Sequence, residues 1–182
     1  MIVLRGDFKS NIIISNGMKK RVLLANDPHD IETLRDKSEL VVRVDEKIKQ
    51  LVADMFESMH GGEENGIGLS APQVGVLKRI IVAEYDNKQD PVPRTVIINP
   101  KITWTSKKIV EDEEGCLSFP GIYGMVQRPD AIEYKGLDEN GKEISAKVRG
   151  LLARVIQHEI DHLDGILLPD RVTGDLYTYE EK

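Results

Sequence analysis

Residues 157–165 read QHEIDHLDG, with two histidines four positions apart and a glutamate directly after the first. On a helix, positions i and i+4 lie one above the other on the same face. His158 and His162 can therefore donate imidazole nitrogens to one metal ion. Glu159 is turned about 100° from His158 by the helical period, so it stands beside such an ion rather than on it. There it can take a proton from a water that the ion has acidified. H-E-x-x-H specifies few positions, and the plain alternative is a polar helix end with two surface histidines, which Asp161 and Asp164 would suit.

The third ligand decides among chemistries. A metzincin continuation needs a further histidine at 168, where this chain has Leu168, which cannot coordinate. A thermolysin-like site wants a glutamate from a later helix, and only the short tail TGDLYTYEEK follows; Glu180 and Glu181 read as solvated terminal charges. Upstream lies Cys116, in EEGCLSFPG at residues 113–121. One thiolate and two imidazoles suit zinc, iron, nickel or cobalt and leave a position open for water. Cys116 could also be a small buried apolar residue or half of a cysteine–histidine nucleophile pair. Two histidines in ligand geometry exceed what a nucleophile needs, so a ligand role is the better reading.

These residues need elements to hold them. The periodicity predicts a helix over residues 151–163, with Leu152, Val155, Ile156 and Leu163 apolar. A second helix is expected over residues 45–60, where Ile48, Leu51, Val52, Met55, Phe56 and Met59 line one face. Asp45 is its N-cap, Lys47, Lys49 and Asp54 face outward, and Gly61 and Gly62 end it. Strand-like runs occupy 79–85, 95–99, 102–105, 131–134 and 144–148, with prolines 91, 93 and 100 punctuating them and a hairpin signal at Asn140 and Gly141. A further short strand is expected at 11–15, and GIGLSAPQVG at 66–75 is too glycine-rich for a helix. The order predicts an α+β fold: mostly antiparallel sheets packed around a C-terminal helix carrying H-E-x-x-H. Residues 1–21 read as an N-terminal extension and 22–182 as a single catalytic domain.

The chain has 182 residues, a formal net charge of −6 and one cysteine. The acidic balance argues against sequence-independent nucleic-acid binding. A lone cysteine forms no intramolecular disulfide, and no apolar run reaches the length of a membrane span, so a reducing cytoplasm is the expected compartment.

Three segments in order, GIGLSAPQ (66–73), EGCLS (114–118) and QHEIDH (157–162), resemble the signature motifs of the peptide deformylases. The resemblance runs from about Val22 to Val172. It implies that Cys116, His158 and His162 are the metal ligands, Glu159 the general acid/base, and Gln73 and the Leu117 backbone N–H the oxyanion donors. It implies removal of the formyl group from N-terminal formylmethionine, with release of formate. The implied native ion is ferrous iron, with Zn2+, Ni2+ or Co2+ able to occupy the site. Expected partners are N-formylmethionyl nascent peptides and, transiently, the ribosome that carries them; neither a specific nucleic acid nor a membrane is expected. An extended peptide could pair with residues 67–69, around Gly68 and Leu69, and with residues 119–121, between Phe119 and Gly121, Gly115 lying alongside. Ile67, Leu151 and Val155 are candidates to line a pocket for the methionine side chain, with core packing as their plain alternative. Glu114 and Arg128 are a candidate pair bracing the cysteine loop, worth little if exposed.

The sequence departs from the family pattern in places. Ser70 stands where alanine is usual, with little expected effect, and NDPHDIETLRDKSELV spreads a normally compact D-P-x-L-R segment. The tail is of the shorter kind. His29 and His60 read as surface residues. Two other readings remain at this level: a metallopeptidase with a third ligand other than Cys116, and a binding protein with a closed structural zinc.

Overall fold

The computed structural model describes residues 17–61, 66–86 and 88–179. The strand expected at 11–15, Gly62, Glu180 and Glu181 lie outside the described residues. Three α-helices are described, α1 (Pro28–Arg35), α2 (Glu46–His60) and α3 (Gly150–Leu163). The strands are β1 (Gly68–Ser70), β2 (Ile80–Tyr85), β3 (Val92–Thr105), β4 (Ile109–Cys116), β5 (Phe119–Pro129), β6 (Ala131–Leu137), β7 (Glu143–Arg149) and β8 (Tyr177–Thr178). One sheet has the order β1-β2-β3-β6-β7 and the other β4-β5-β8, with antiparallel pairing throughout. The expected α+β architecture is therefore present.

Strand alternation places the larger sheet between two helices. Ile80, Val82 and Ile98 point to the face covered by Leu51, Val52, Met55, Phe56 and Met59 of α2. Ile81 and Ile97, one residue out of phase, meet Ala153, Ile156 and Leu163 of α3. A strand covered on both faces needs a continuous apolar run, which IIVA in β2 supplies.

Both long helices begin and end near the expected residues. Asp45 caps α2 by accepting the Ile48 N–H. The N-terminus of α3 is capped from elsewhere in the chain: Asp90 accepts the Leu151 N–H at 3.1 Å.

Four expectations are corrected. Asp54 is buried rather than outward, because it accepts from the Met18 N–H (2.8 Å) and the Gln50 amide (2.9 Å) and pairs with Lys20. The strands expected at 95–99 and 102–105 are one strand, β3, which absorbs Pro100 in a bulge. There Asn99 takes a φ of 55°, and its side chain exchanges two hydrogen bonds with the Val41 backbone. The helix α1 was not expected, although Asp27 as N-cap and Pro28 at the first turn signal it. Strands β4 and β5 were not expected either: IVEDEEG in β4 carries no apolar alternation, and β5 is interrupted by Pro120, Gly121 and Gly124.

Candidate metal centre

The C-terminal half of α3 carries His158, Glu159 and His162, buried together with Gln157 and Asp161. These are not surface histidines. The end of β4 brings Cys116 against them. Its Sγ lies 3.3 Å from His162 Nε2, and one ligand atom from each of Cys116, His158 and His162 falls within 4.8 Å of the others.

The ring orientation of His158 is set from behind. His158 Nδ1 lies 2.8 Å from Glu114 Oε2, which leaves Nε2 toward the cluster, buried and with no hydrogen bond among the described residues. A ligating histidine needs this arrangement, one nitrogen anchored on a carboxylate and the other free to coordinate. The donor set of one thiolate and two imidazoles, orphaned at His158 Nε2, fits a divalent transition metal. Burial opposes ionisation of the Cys116 thiol, while nearby positive charge and hydrogen bonds, His162 and His158 among their sources, act in the opposite direction and lower it.

Glu114 is the hub of a buried charge network. Its carboxylate accepts from Arg128 Nε (2.6 Å) and Nη2 (2.9 Å) and from Arg154 Nη1 (2.7 Å), besides His158. Arg128 reaches on to Asp161 at 2.8 Å, and Asp161 also accepts two bonds from Arg171. Burial alone would raise the Glu114 carboxyl, but the bonds from His158 and Arg128 hold it far below the usual carboxylate range. The bracing pair expected between Glu114 and Arg128 is thus real. Its weight differs from the expectation for exposed groups, since Glu114 is 0% exposed and Arg128 6%. In such a setting, losing one partner strands a buried charge.

Glu159 is 0% exposed. Strand β1 passes close over it: a Cβ at Gly68 would stand 2.6 Å from Val155 Cγ1 and 2.7 Å from Glu159 Oε1. Glycine at 68 is required by that approach.

The 3-10 turn Ala71–Val74, directly after β1, delivers Gln73 to the same place. Its amide nitrogen lies 3.7 Å from Cys116 Sγ and 3.2 Å from Ser118 Oγ. Its amide oxygen accepts from the Ser70 N–H (3.1 Å) and Ser70 Oγ (2.9 Å). Ser70 is therefore more than a small filler: its hydroxyl joins its own backbone N–H in fixing which way the Gln73 amide faces. Leu117 opens the two-residue turn between β4 and β5, next to Cys116.

Ile67 and Val155 belong to one apolar cluster with Ala83 and Val92, and Leu151 packs against it. Phe119 pairs with Cys116 across the turn, and Gly121 adopts a φ of 71°. His29 is exposed, while His60 is half-buried and faces Glu84 Oε2 at 3.2 Å. The roles of Glu114, Arg154, Asp161 and Arg171 as one network were beyond sequence reasoning, which had only the unusual density of charge around both motifs to go on.

Comparison with known proteins is consistent across three kinds of match. A family model described as "Polypeptide deformylase" matches residues 19–176. The peptide deformylase of Thermodesulfovibrio yellowstonii is 47% identical over 142 residues, covering 78% of this chain and 84% of that protein. That of a Picosynechococcus species is 46% identical over 145 residues, covering 80% and 76%. Among solved structures, peptide deformylase from Ehrlichia chaffeensis in complex with actinonin is 40% identical with a TM-score of 0.77, covering 86% of this chain and 90% of that one. The Thermotoga maritima peptide deformylase is 36% identical with a TM-score of 0.75, covering 86% and 99%.

Proposed function

The chain belongs to the polypeptide deformylase family, and from that membership we infer which of its residues carry out the reaction. It is a hydrolase that removes the N-formyl group from the formylmethionine of nascent peptides. One observation supports the residue assignment above the others. Three segments distant in sequence meet at one buried cluster, with Cys116, His158 and His162 ligand atoms within 4.8 Å and the Gln73 amide 3.7 Å from the Cys116 sulfur.

Cys116, His158 and His162 would hold the ion, and we propose Fe2+ as the native one, with Zn2+, Ni2+ or Co2+ as substitutes. Three protein ligands among the described residues leave a position open, unlike a closed structural site. Cys116 as third ligand also sets the site apart from the common metallopeptidases. When bound, the ion supplies Lewis acidity that lowers the pKa of water at neutral pH.

The chain's own groups do the rest. The Glu159 carboxylate accepts the proton of the attacking water and later delivers it to the leaving amine nitrogen, after which formate departs. The Gln73 Nε2–H and the Leu117 N–H donate to the formyl oxygen as it becomes negative, a role in which one donor is worth about 3 kcal/mol. Strand β1 ends its sheet, so residues 67–69, with Gly68 and Leu69, can pair with an extended peptide; Gly115 and residues 119–121, from Phe119 to Gly121, are assigned to its other side. Ile67, Leu151 and Val155 line the methionine pocket in this reading. Main-chain pairing is blind to most side chains, as an enzyme acting on many nascent proteins requires. Among the described residues no helix is long and apolar enough to cross a membrane. A cytoplasmic location and transient contact with the ribosome belong to the same proposal, as do residues 1–21 as an extension to a catalytic domain spanning 22–182.

Formate release from formyl-Met-Ala-Ser by anaerobically prepared, iron-loaded protein tests the assignment. Glu159→Ala is expected to retain metal and lose about 10²–10⁴-fold in kcat. Equal rates for the two proteins, with metal bound in both, would remove Glu159 from the mechanism.

A further inference from the structure

The segment before α1 touches both elements that carry the assigned oxyanion donors. The Leu23 N–H donates to the Gln73 carbonyl at 2.8 Å, and the Ala25 N–H donates to the Ser118 carbonyl at 2.8 Å. Gln73 and Ser118 are 45 residues apart, and their side chains meet at 3.2 Å. Two amides within one three-residue stretch therefore hold, from behind, two elements that face each other across the site.

The reason lies in the geometry of the turn. A short 3-10 helix leaves its last carbonyls without intrahelical partners. The Ala71 and Pro72 carbonyls are taken locally, by Val76 and Gly75, each at 3.0 Å. The Gln73 carbonyl is taken by Leu23, from a remote part of the chain. The intervening Leu24 N–H points elsewhere, to Asp30 Oδ2 at 2.8 Å. Asp30 is 5% exposed and also receives the Arg21 guanidinium, with Nη1 at 2.7 Å from Oδ2. Asp30 thereby fixes residues 21–24 on α1, and α1 sets where Leu23 and Ala25 stand.

We propose that residues 23–25, anchored by Asp30, form a strap that sets the spacing of the Gln73 amide and the Leu117–Ser118 turn, making Leu23, Ala25 and Asp30 positioning residues for the oxyanion donors. The proposal rests on the assignment of Gln73 as such a donor. Donors that stabilise developing charge act only if held in place before the reaction, and misplacement by a fraction of the bond length is costly. Gln73 is gripped at three points: Ser70 at its amide oxygen, Ser118 at its amide nitrogen and Leu23 at its backbone carbonyl.

The test is a double-mutant cycle on the full-length, metal-loaded protein. Asp30→Ala releases the strap, and Ala25→Pro, which removes the N–H to Ser118, is the second variant should the first not fold. Each is made alone and with Gln73→Ala, and kcat and KM for formyl-Met-Ala-Ser, bound metal per chain and Tm are measured. Arg35→Ala, which breaks the exposed pair with Asp170 from the same helix, controls for general loosening of α1. The expected result is a fall in kcat of about tenfold with KM and metal content unchanged, and a smaller fall in the Gln73→Ala background, where only the Leu117 N–H is left to displace. An equal loss in both backgrounds, or one that follows metal content or Tm, would overturn the strap. If Gln73→Ala alone kept the full kcat, the donor assignment itself would fall, a result separable from the first.

Discussion

The helix α3 and the β4–β5 hairpin bring candidate ligands to the same cluster, but α3 and strand β4 are held by opposite kinds of force. The helix is fixed by an apolar stripe: Ala153, Ile156 and Leu163 pack against Ile81, Ile97 and Ile132 of the larger sheet. The hairpin's apolar contacts lie mostly on β5, where Tyr123 and Val126 are buried, and β4 has little apolar surface of its own. The strand β4 reads IVEDEEGC, and its active end is tied down by Glu114, which meets Arg128, Arg154 and His158. Non-directional burial suffices to seat a helix whose three functional side chains already share one rigid scaffold. Cys116 sits on a separate element and must be brought to those side chains, so its carrier needs directional bonds to α3 itself. Arg154 and His158 are both α3 residues, and each bonds to Glu114.

This contrast predicts different failures on the two sides. Glu114→Ala should be the most damaging change, because it strands Arg128 and Arg154 in the interior; a loss of about 3–5 kcal/mol is expected from chemical denaturation. The same variant loses the anchor of His158, and metal affinity should fall roughly 10–100-fold in a chelator competition. A Glu114→Ala protein with normal stability and metal affinity would erase the distinction between the two halves. Ile156→Ala should cost about 3 kcal/mol by the cavity it leaves, while the metal affinity of the folded fraction stays near that of the parent. Loss of metal in that variant would show that packing, too, tunes the ligands.

Gly68→Ala lies between the two regimes. The added methyl group must displace Val155 or Glu159, so about 1–3 kcal/mol of stability should go, accompanied by a fall in kcat of about tenfold or more. Steady-state kinetics beside a thermal melt separates the two losses. Ser70→Ala removes one hydrogen bond to the Gln73 amide and should cost about 1 kcal/mol, read mainly as a lower kcat at unchanged metal content. A variant as active as the parent would restore the simpler view of Ser70 as a spacer.

The smallest effect concerns Asp54, which joins α2 to the chain at Met18 and Lys20. Burial raises its carboxyl, but bonds from Gln50, the Met18 N–H and Lys20 outweigh this and leave it below its ordinary value of 3.8. A carboxyl lowered on folding contributes stability that is present above the unfolded value and is lost as pH falls through the folded one. Stability measured downward from pH 5 should therefore fall less steeply in Asp54→Asn than in the parent. Parallel curves would show that Asp54 does not titrate differently in the folded state.

Much of the chemistry was legible in the sequence because it is local. The spacing of His158, Glu159 and His162 is a property of one helix, and the stripe on residues 151–163 predicted that helix. The same holds for α2, whose apolar face repeats every three or four residues. Strand β4 escaped notice because an edge strand under a charge network needs no apolar alternation. Asp54 was misjudged because its partners include residues 36 positions away in the chain.

What the sequence by itself determined, then, is the order of the three motifs, the α+β class and the family, and it pointed to the candidate donor set. Helical and strand periods are short-range, so each can be read from a window of residues. Tertiary structure alone decided that Glu114 would be buried between two arginines and a histidine, that Ser70 would turn the Gln73 amide, and that residues 23–25 would reach both Gln73 and Ser118. A charge or an amide has no preferred partner until the fold removes water and leaves one within reach. Glu114 and Arg154 are 40 residues apart, and no local pattern records that they meet.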